Sequence, residues 1–94
     1  MEKIGKVLVD IEYCVPCGYQ NLASWAVSEI FEAGGTATAI QLTPGQGGAF
    51  KITVDGEVWW DKKGGDGRSP EISDMKGLKS KLKARLEALE PVAV

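Results

Sequence analysis

The sequence predicts a small α/β protein with the element order β-α-β-β-β-α, folded as a two-layer sandwich on a four-stranded mixed sheet. Four patterns predict this class. Residues 7–13 alternate as a half-buried strand does, and apolar residues then recur at helical spacing over 20–33. A hairpin and a second helical repeat follow. A right-handed crossover would make the first two strands parallel, and the hairpin would add antiparallel strands.

The first half of the chain is predicted to be a strand–helix–strand unit. The odd-numbered residues of 7–13 are apolar or aromatic, and they would share one buried face of the first strand. The helix of 20–33 ends at the glycine pair 34–35. Residues 36–42 are rich in β-branched side chains and predict the second strand. Residues 43–48, Thr-Pro-Gly-Gln-Gly-Gly, predict a loop.

A β-hairpin is predicted next. Apolar and polar residues alternate over 50–54, and the Asp-Gly pair 55–56 is typical of a type I′ turn. The chain then returns over 57–61. Because neighbouring residues of a strand point to opposite faces, we expect one of Trp59 and Trp60 in the core and the other exposed.

A glycine-rich loop at 62–68 precedes a C-terminal helix that is expected to cover the sheet. The helix is predicted from one apolar stripe, formed by Met75, Leu78, Leu82, Leu86 and Leu89. Its basic residues are expected to be solvated, namely Lys79, Lys81, Lys83 and Arg85. Pro91 would end it. We therefore predict a single domain over 1–90 and a C-terminal tail over 91–94.

Composition excludes several classes of function. The chain has 94 residues, enough for one domain, and a formal net charge of −2, which favours neither nucleic acid nor a membrane surface as a partner. Histidine is absent, so Ser-His-Asp and Cys-His catalysis and histidine metal sites are excluded. The first residues interleave charged with apolar side chains and lack the run that a signal peptide needs. We therefore expect a cytoplasmic protein.

The only two cysteines form the motif Cys14-Val15-Pro16-Cys17, between the first strand and the first helix. A strand that ends at Cys14 and a helix that begins near Cys17 would direct free N–H groups and the helix dipole at the thiols. That environment favours the reactive thiolate. In a reducing cytosol the pair is expected to be a reversible dithiol rather than a structural disulfide. A pair of inert buried cysteines is one alternative.

Neither glycine-rich loop matches a phosphate-binding pattern. Gly47 and Gly48 are interpreted as turn residues that let the backbone approach the cysteine motif, leaving peptide groups for a substrate chain. Val15 and Pro16, between the cysteines, complete the predicted substrate contacts. A closed zinc site needs four ligands, so a metal would require two chains or added carboxylates. We predict no metal ligands and no cofactor.

Four segments together are characteristic of one family: 12–19, which contains the cysteine motif; 43–44 leading into 47–52; 54–56; and 62–67. In these segments the chain resembles the selenoprotein W/T/H-related (Rdx) family, whose members have a thioredoxin-like fold. The resemblance covers nearly the whole chain. It implies a thioredoxin-like two-layer sandwich, and a cytosolic thiol oxidoreductase or thiol-based redox regulator without a bound organic cofactor.

Which cysteine attacks is left open by the resemblance. In selenocysteine-containing relatives, selenium occupies the position of Cys17, whereas in ordinary thioredoxins the first cysteine, here Cys14, is the nucleophile. In either case the predicted chemistry is thiol–disulfide exchange at Cys14 and Cys17. The expected partners are protein or low-molecular-weight thiols and disulfides, with glutathione as one candidate, and the oligomeric state is not predicted. The alternatives are a non-enzymatic, redox-sensing binding module and a dimeric metal-binding protein.

Overall fold

A computed structural model describes residues 6–64 and 67–89. The predicted element order is confirmed. In chain order the elements are β1 (Val7–Cys14), α1 (Gln20–Gly34), a 3-10 turn (Gly35–Ala37), β2 (Thr38–Gly45), β3 (Phe50–Val54), β4 (Glu57–Asp61) and α2 (Ile72–Leu89). The predicted tail at 91–94 and the helix stop at Pro91 lie outside the described residues. Neither α1 nor α2 is long and apolar enough to cross a membrane.

The four strands form one mixed sheet in the order β2-β1-β3-β4. β1 is parallel to β2, whereas the β1–β3 and β3–β4 pairs are antiparallel. The core consists of residues from β1, β3 and both helices, so α1 and α2 cover the same face of the sheet. On the opposite face Leu8 is 49% exposed. We call this opposite side the open face.

The apolar core forms where the alternating faces of β1 and β3 meet. Val9 lies opposite Val54, and Ile11 lies opposite Ile52. All four side chains are buried, as is Phe50 at the start of β3. The helices complete this core with Ala23, Ala26, Ile30, Met75, Leu78 and Leu82. The periodic patterns of the sequence therefore identify the core-facing side of each of these elements.

Two local predictions about chain reversals are confirmed. Helix α1 ends at the glycine pair, where Gly35 has φ 57° and donates its N–H to the carbonyl of Phe31. Asp55 and Gly56 have φ values of 51° and 84°. Positive φ at both central residues is the requirement of a type I′ turn, which the Asp-Gly pair predicts.

The predicted boundary between β2 and the following loop is wrong. Strand β2 starts at Thr38 and continues to Gly45, so residues 43–45 belong to the strand, with Pro44 opposite Tyr13 and Gly45 opposite Cys14. Proline removes a backbone donor, but β2 is an edge strand, where a missing N–H need not disrupt a ladder. The sequence pattern contains no signal for this edge position.

The prediction that Trp59 and Trp60 point to opposite faces is also wrong. Trp60 lies opposite Ile52 and Val58 lies opposite Thr53, so Trp59 is an extra residue at a register shift. Such a β-bulge breaks the simple alternation of a strand. Both tryptophans are partly buried and pack against the core, while Val58 is 51% exposed.

The basic residues of α2 were predicted to be solvated, but several of them contact other side chains. The Lys79 ammonium donates to the carboxylates of Glu29 and Glu32 at 2.9 and 3.1 Å, which joins α2 to α1. Its hydrogen bond with Glu29, and then that with Glu32, raises the pKa of Lys79. Lys81 and Arg85 lie over the Trp59 ring, 4.5 and 5.5 Å from its centre. Lys83 is exposed, as predicted.

The chain after the second glycine-rich loop is fixed to the start of α2. Arg68 Nη1 donates to Asp74 Oδ2 at 2.7 Å, and the guanidinium lies 5.2 Å from the centre of the Trp60 ring. The hydrogen bond from Arg68, followed by that from the Glu71 N–H, lowers the pKa of Asp74. These contacts hold β4 and α2 together at the end of the sheet that leads into the loop.

Candidate functional site

Cys14 and Cys17 are joined by a disulfide, with their Cα atoms 5.3 Å apart. This separation falls within the usual range for disulfides. Cys14 is the last residue of β1, and Cys17 lies in the turn between β1 and α1. The structure therefore brings the two predicted catalytic residues into direct bonding contact.

The two sulfur-bearing residues differ in their exposure. Cys14 is 1% exposed, whereas Cys17 is an exposed residue of the turn. The backbone of Cys14 is held in the sheet, since its N–H donates to the Ala49 carbonyl at 2.8 Å and Gly45 lies opposite it on β2. An incoming thiol or disulfide can therefore reach Cys17 much more readily than Cys14.

A turn separates the cysteine motif from the helix. The helix begins at Gln20, as its apolar repeat predicts, three residues after Cys17. Gly18 has φ 78°, which is incompatible with a right-handed helix at that position. The turn is closed instead by N–H donation from Gly18 to the Val15 carbonyl and from Tyr19 to the Cys14 carbonyl.

An open groove lies beside the disulfide. It is lined by Val15, Pro16, Pro44, Gly45 and Gln46, and we call it the motif groove. The Val15 N–H donates to the Gly45 carbonyl at 3.0 Å, which fixes the turn against the end of β2. Val15 and Pro16, two of the predicted substrate contacts, thus line a concave surface next to the cysteines.

Gly47 and Gly48 lie in the turn between β2 and β3, with φ values of 74° and 79°. The backbone that contacts the motif belongs instead to their neighbours, Gly45 and Ala49. A Cβ added at Gly47 would lie 3.5 Å from Lys63 Nζ. Both glycines permit the chain reversal that brings Ala49 to Cys14, and their role as substrate contacts stays a prediction.

Sequence reasoning missed three lining residues of the motif groove, Pro44, Gly45 and Gln46. They were assigned to a loop, yet β2 pairs with β1 as far as Gly45 opposite Cys14. Once two parallel strands are paired, their carboxyl ends meet at the same edge of the sheet. The segment after β2 is therefore the place where sequence reasoning could have searched for further contacts.

An aromatic side chain and an ammonium group lie close to the turn. Tyr19 is partly buried and packs against the core. Lys62 Nζ is 5.9 Å from the centre of the Tyr19 ring and donates to the Gly67 carbonyl at 3.0 Å. The Lys62 N–H donates to the carbonyl of Phe50 at 2.9 Å, which ties the second glycine-rich loop to the start of β3. The loop is thus held on the same end of the molecule as the disulfide.

Two solved structures are similar to this chain. A crystal structure of a Bordetella parapertussis protein is 30% identical, with a TM-score of 0.68, and the match covers 88% of this chain and 96% of that chain. A crystal structure of a selenoprotein W-related protein from Vibrio cholerae is 26% identical, with a TM-score of 0.73, and the match covers 87% of this chain and 99% of that chain. No curated protein matches this chain.

The family assignment rests on most of the chain. The model of the Rdx family matches residues 8–83, which include nearly all of β1, the cysteine motif, the other three strands and most of α2. The fold agrees with that of the selenoprotein W-related structure, and the CxxC pair indicates a redox role. This chain belongs to the Rdx family, a group of thioredoxin-like proteins related to selenoprotein W.

Proposed function

We propose that this protein is a small thiol–disulfide oxidoreductase whose Cys14–Cys17 pair cycles between dithiol and disulfide. The observation that carries the proposal is the pairing of an exposed with a buried cysteine in one disulfide. An exposed sulfur can meet a partner, and a neighbouring buried sulfur can resolve the resulting intermediate without reacting with solvent species itself. We therefore assign Cys17 as the nucleophile and Cys14 as the resolving cysteine.

The reaction transfers two electrons from the protein to a partner disulfide. The Cys17 thiolate attacks one partner sulfur, so the partner S–S bond breaks, a mixed disulfide forms and the first partner thiolate leaves. Cys14 then loses its proton and attacks the Cys17 sulfur. This step forms the Cys14–Cys17 bond and releases the second partner sulfur as a thiolate, which takes up a proton. A thiol donor reduces the protein again by the reverse exchange.

The motif groove is the proposed place for the partner chain next to its reactive sulfur. Val15 and Pro16 supply apolar contacts on one side, and the end of β2 supplies the other. The outer edge of an edge strand has backbone groups that are not used by the sheet. A partner backbone in the groove could hydrogen-bond to this edge beyond Pro44, which itself offers no N–H.

The proposed partners are protein or low-molecular-weight thiols and disulfides, including glutathione, and the proposed compartment is the cytoplasm. A reducing compartment is required because the enzyme must be returned to its dithiol form. The alternative of a redox-sensing binding module uses the same surface but no exchange. For the metal-binding alternative, residues 6–64 and 67–89 contain no group of three or more Cys, Asp or Glu side chains placed to hold an ion.

The proposal is tested by reduction of a protein disulfide, such as that of insulin, with dithiothreitol as the electron donor. The wild-type protein should accelerate the reduction in proportion to its concentration. The double variant Cys14→Ala/Cys17→Ser should give only the rate of dithiothreitol alone, provided that its thermal unfolding confirms a folded protein. Equal rates with wild-type and double-variant protein would contradict the oxidoreductase and favour the binding module.

A further inference from the structure

A second groove lies on the open face of the sheet, next to the motif groove. It is lined by Glu12, Gln46, Ala49, Lys51, Asp61 and Lys63. Three of these residues form a row across neighbouring strands, because Glu12 lies opposite Lys51 and Lys51 lies opposite Asp61. With strands about 4.8 Å apart, the row spans about 10 Å. We call this the charged groove.

The charges of this groove are not used by the fold. Within the described part of the chain, the side-chain charges of Glu12, Lys51 and Lys63 form no hydrogen bond or ion pair. Among the residues that the structure describes, the Asp61 carboxylate accepts only the backbone N–H of Lys63, at 3.1 Å. Opposite charges on neighbouring strands usually stabilise a sheet by pairing directly. Here two carboxylates and two ammonium groups surround a concave surface instead.

The next acidic residue of β1 on the open face has polar partners. The Asp10 carboxylate accepts hydrogen bonds from the Thr43 hydroxyl at 2.5 Å and from the Gln41 amide at 3.1 Å. Thr43 lies opposite Glu12 on β2, yet its hydroxyl donates to Asp10 and not to Glu12. The Asp10 carboxylate is therefore satisfied within the sheet, whereas the carboxylate of Glu12 is not.

The charged groove is close to the reactive motif. Glu12 precedes Cys14 by two residues of β1, a distance of about 7 Å along the strand. Its carboxylate lies over Gly45, where an added Cβ would be 2.9 Å from Glu12 Oε2. Gln46 lines both grooves, so they form one continuous surface from the cysteine turn to β4.

We propose that the charged groove is a specificity subsite for the polypeptide chain of a disulfide substrate, which carries one basic and one acidic side chain near its reactive cysteine. This inference rests on the proposed function. The carboxylate of Glu12 would take the basic side chain, and the ammonium group of Lys51, on the neighbouring strand, the acidic one. In an extended chain with a rise of about 3.3 Å per residue, these side chains lie two to four residues from the cysteine.

The charges of the groove are balanced in sign and spread over several strands, and this arrangement fits a polypeptide ligand. The four charged lining residues sum to zero, so a strongly acidic or basic ligand gains little net attraction. A chain with one charge of each sign can pair with one carboxylate and one ammonium group of the groove. The open and continuous shape of the two grooves also suits an extended segment that passes the disulfide and continues across β1, β3 and β4.

The test uses synthetic peptides with blocked termini and a single cysteine that is activated as its 2-thiopyridyl disulfide. The first peptide has Lys two residues and Glu four residues after the cysteine, and the second has Ser at both positions. Both have zero net charge. The rate constant of their reaction with the reduced protein is followed by release of the thiopyridone. The reduction potential of each protein variant is measured in parallel with glutathione.

The wild-type protein should react about threefold to tenfold faster with the charged peptide than with the serine peptide. The variant Glu12→Gln/Lys51→Gln, which leaves the net charge unchanged, should react equally with both peptides and keep the wild-type potential. The matched control Lys83→Gln/Glu87→Gln removes two exposed charges of α2 and should keep the preference. Raising the salt concentration to about 1 M should weaken the preference, because the screening length then falls to about 3 Å.

Equal rates of the wild-type protein with the two peptides would overturn the subsite, even if both reactions are fast. A preference that survives in Glu12→Gln/Lys51→Gln would overturn it as well. If the reduced protein reacts with neither peptide, the proposed oxidoreductase function fails, and the subsite fails with it. The serine peptide therefore separates failure of the subsite from failure of the chemistry.

Discussion

Replacing Cys17 with serine should abolish thiol–disulfide exchange, whereas replacing Cys14 with alanine should yield a protein that captures its partners covalently. The expectation follows from the exposure of the two residues: Cys17 is exposed and Cys14 is 1% exposed. Without Cys17 no accessible sulfur remains to attack. Without Cys14 the mixed disulfide between Cys17 and the partner still forms, but no second thiol is placed to release it.

The two variants are compared by mass spectrometry after incubation of each reduced protein with a peptide disulfide. Cys14→Ala should gain the mass of one peptide, and Cys17→Ser should stay unmodified. Alanine is used at position 14 because a serine hydroxyl would be buried there, which costs stability if it is unpaired. A covalent adduct on Cys17→Ser together with none on Cys14→Ala would assign the nucleophile to Cys14. Equal exchange activity in both variants would contradict the mechanism.

Replacing Phe50 with alanine should lower the free energy of unfolding by about 3–5 kcal/mol. Phe50 is fully buried at the start of β3, opposite Tyr13 of β1. Its removal deletes a large apolar side chain and leaves a cavity in the core. Phe50 directly follows Ala49 in the chain. Since the Ala49 carbonyl accepts the N–H of Cys14, the backbone around the buried cysteine should also become less protected from hydrogen exchange.

The other phenylalanine of the chain supplies a matched control. Phe31 is on α1 and 51% exposed, and alanine is favourable in a helix, so Phe31→Ala should change the free energy of unfolding by less than about 1 kcal/mol. Both variants are measured by urea unfolding of the disulfide form. Similar losses in the two variants would contradict the placement of the core at the β1–β3 contact.

Local patterns were sufficient to predict much of the fold. Alternation in residues 7–13 identifies β1, and the Asp-Gly pair at 55–56 determines the hairpin turn, because few residues other than glycine, asparagine and aspartate accept positive φ. The helical repeat of 20–33 gives the bounds of α1 to within one residue. These features depend on neighbouring residues, so a single sequence contains enough information to predict them.

The features that were missed depend on tertiary neighbours. The length of β2 is determined by its pairing with β1 at the sheet edge, and both tryptophans face the helices because of a bulge whose register involves β3. The same holds for the site. The motif identifies Cys14 and Cys17, but the backbone contacts that hold Cys14 in the sheet come from Gly45 and Ala49, more than 30 residues after Cys14 in the chain. Spacing within the motif cannot predict that one cysteine is buried and the other exposed.

The most direct test of the central claim is the redox equilibrium of the Cys14–Cys17 pair in defined ratios of reduced and oxidised glutathione. The fraction of dithiol is read from the mass change on thiol alkylation. We expect a single two-electron transition between dithiol and intramolecular disulfide, with a potential near or below the cytosolic range of roughly −220 to −320 mV. If no intramolecular disulfide formed at any ratio, the pair would not be redox-active and the proposed oxidoreductase would be wrong.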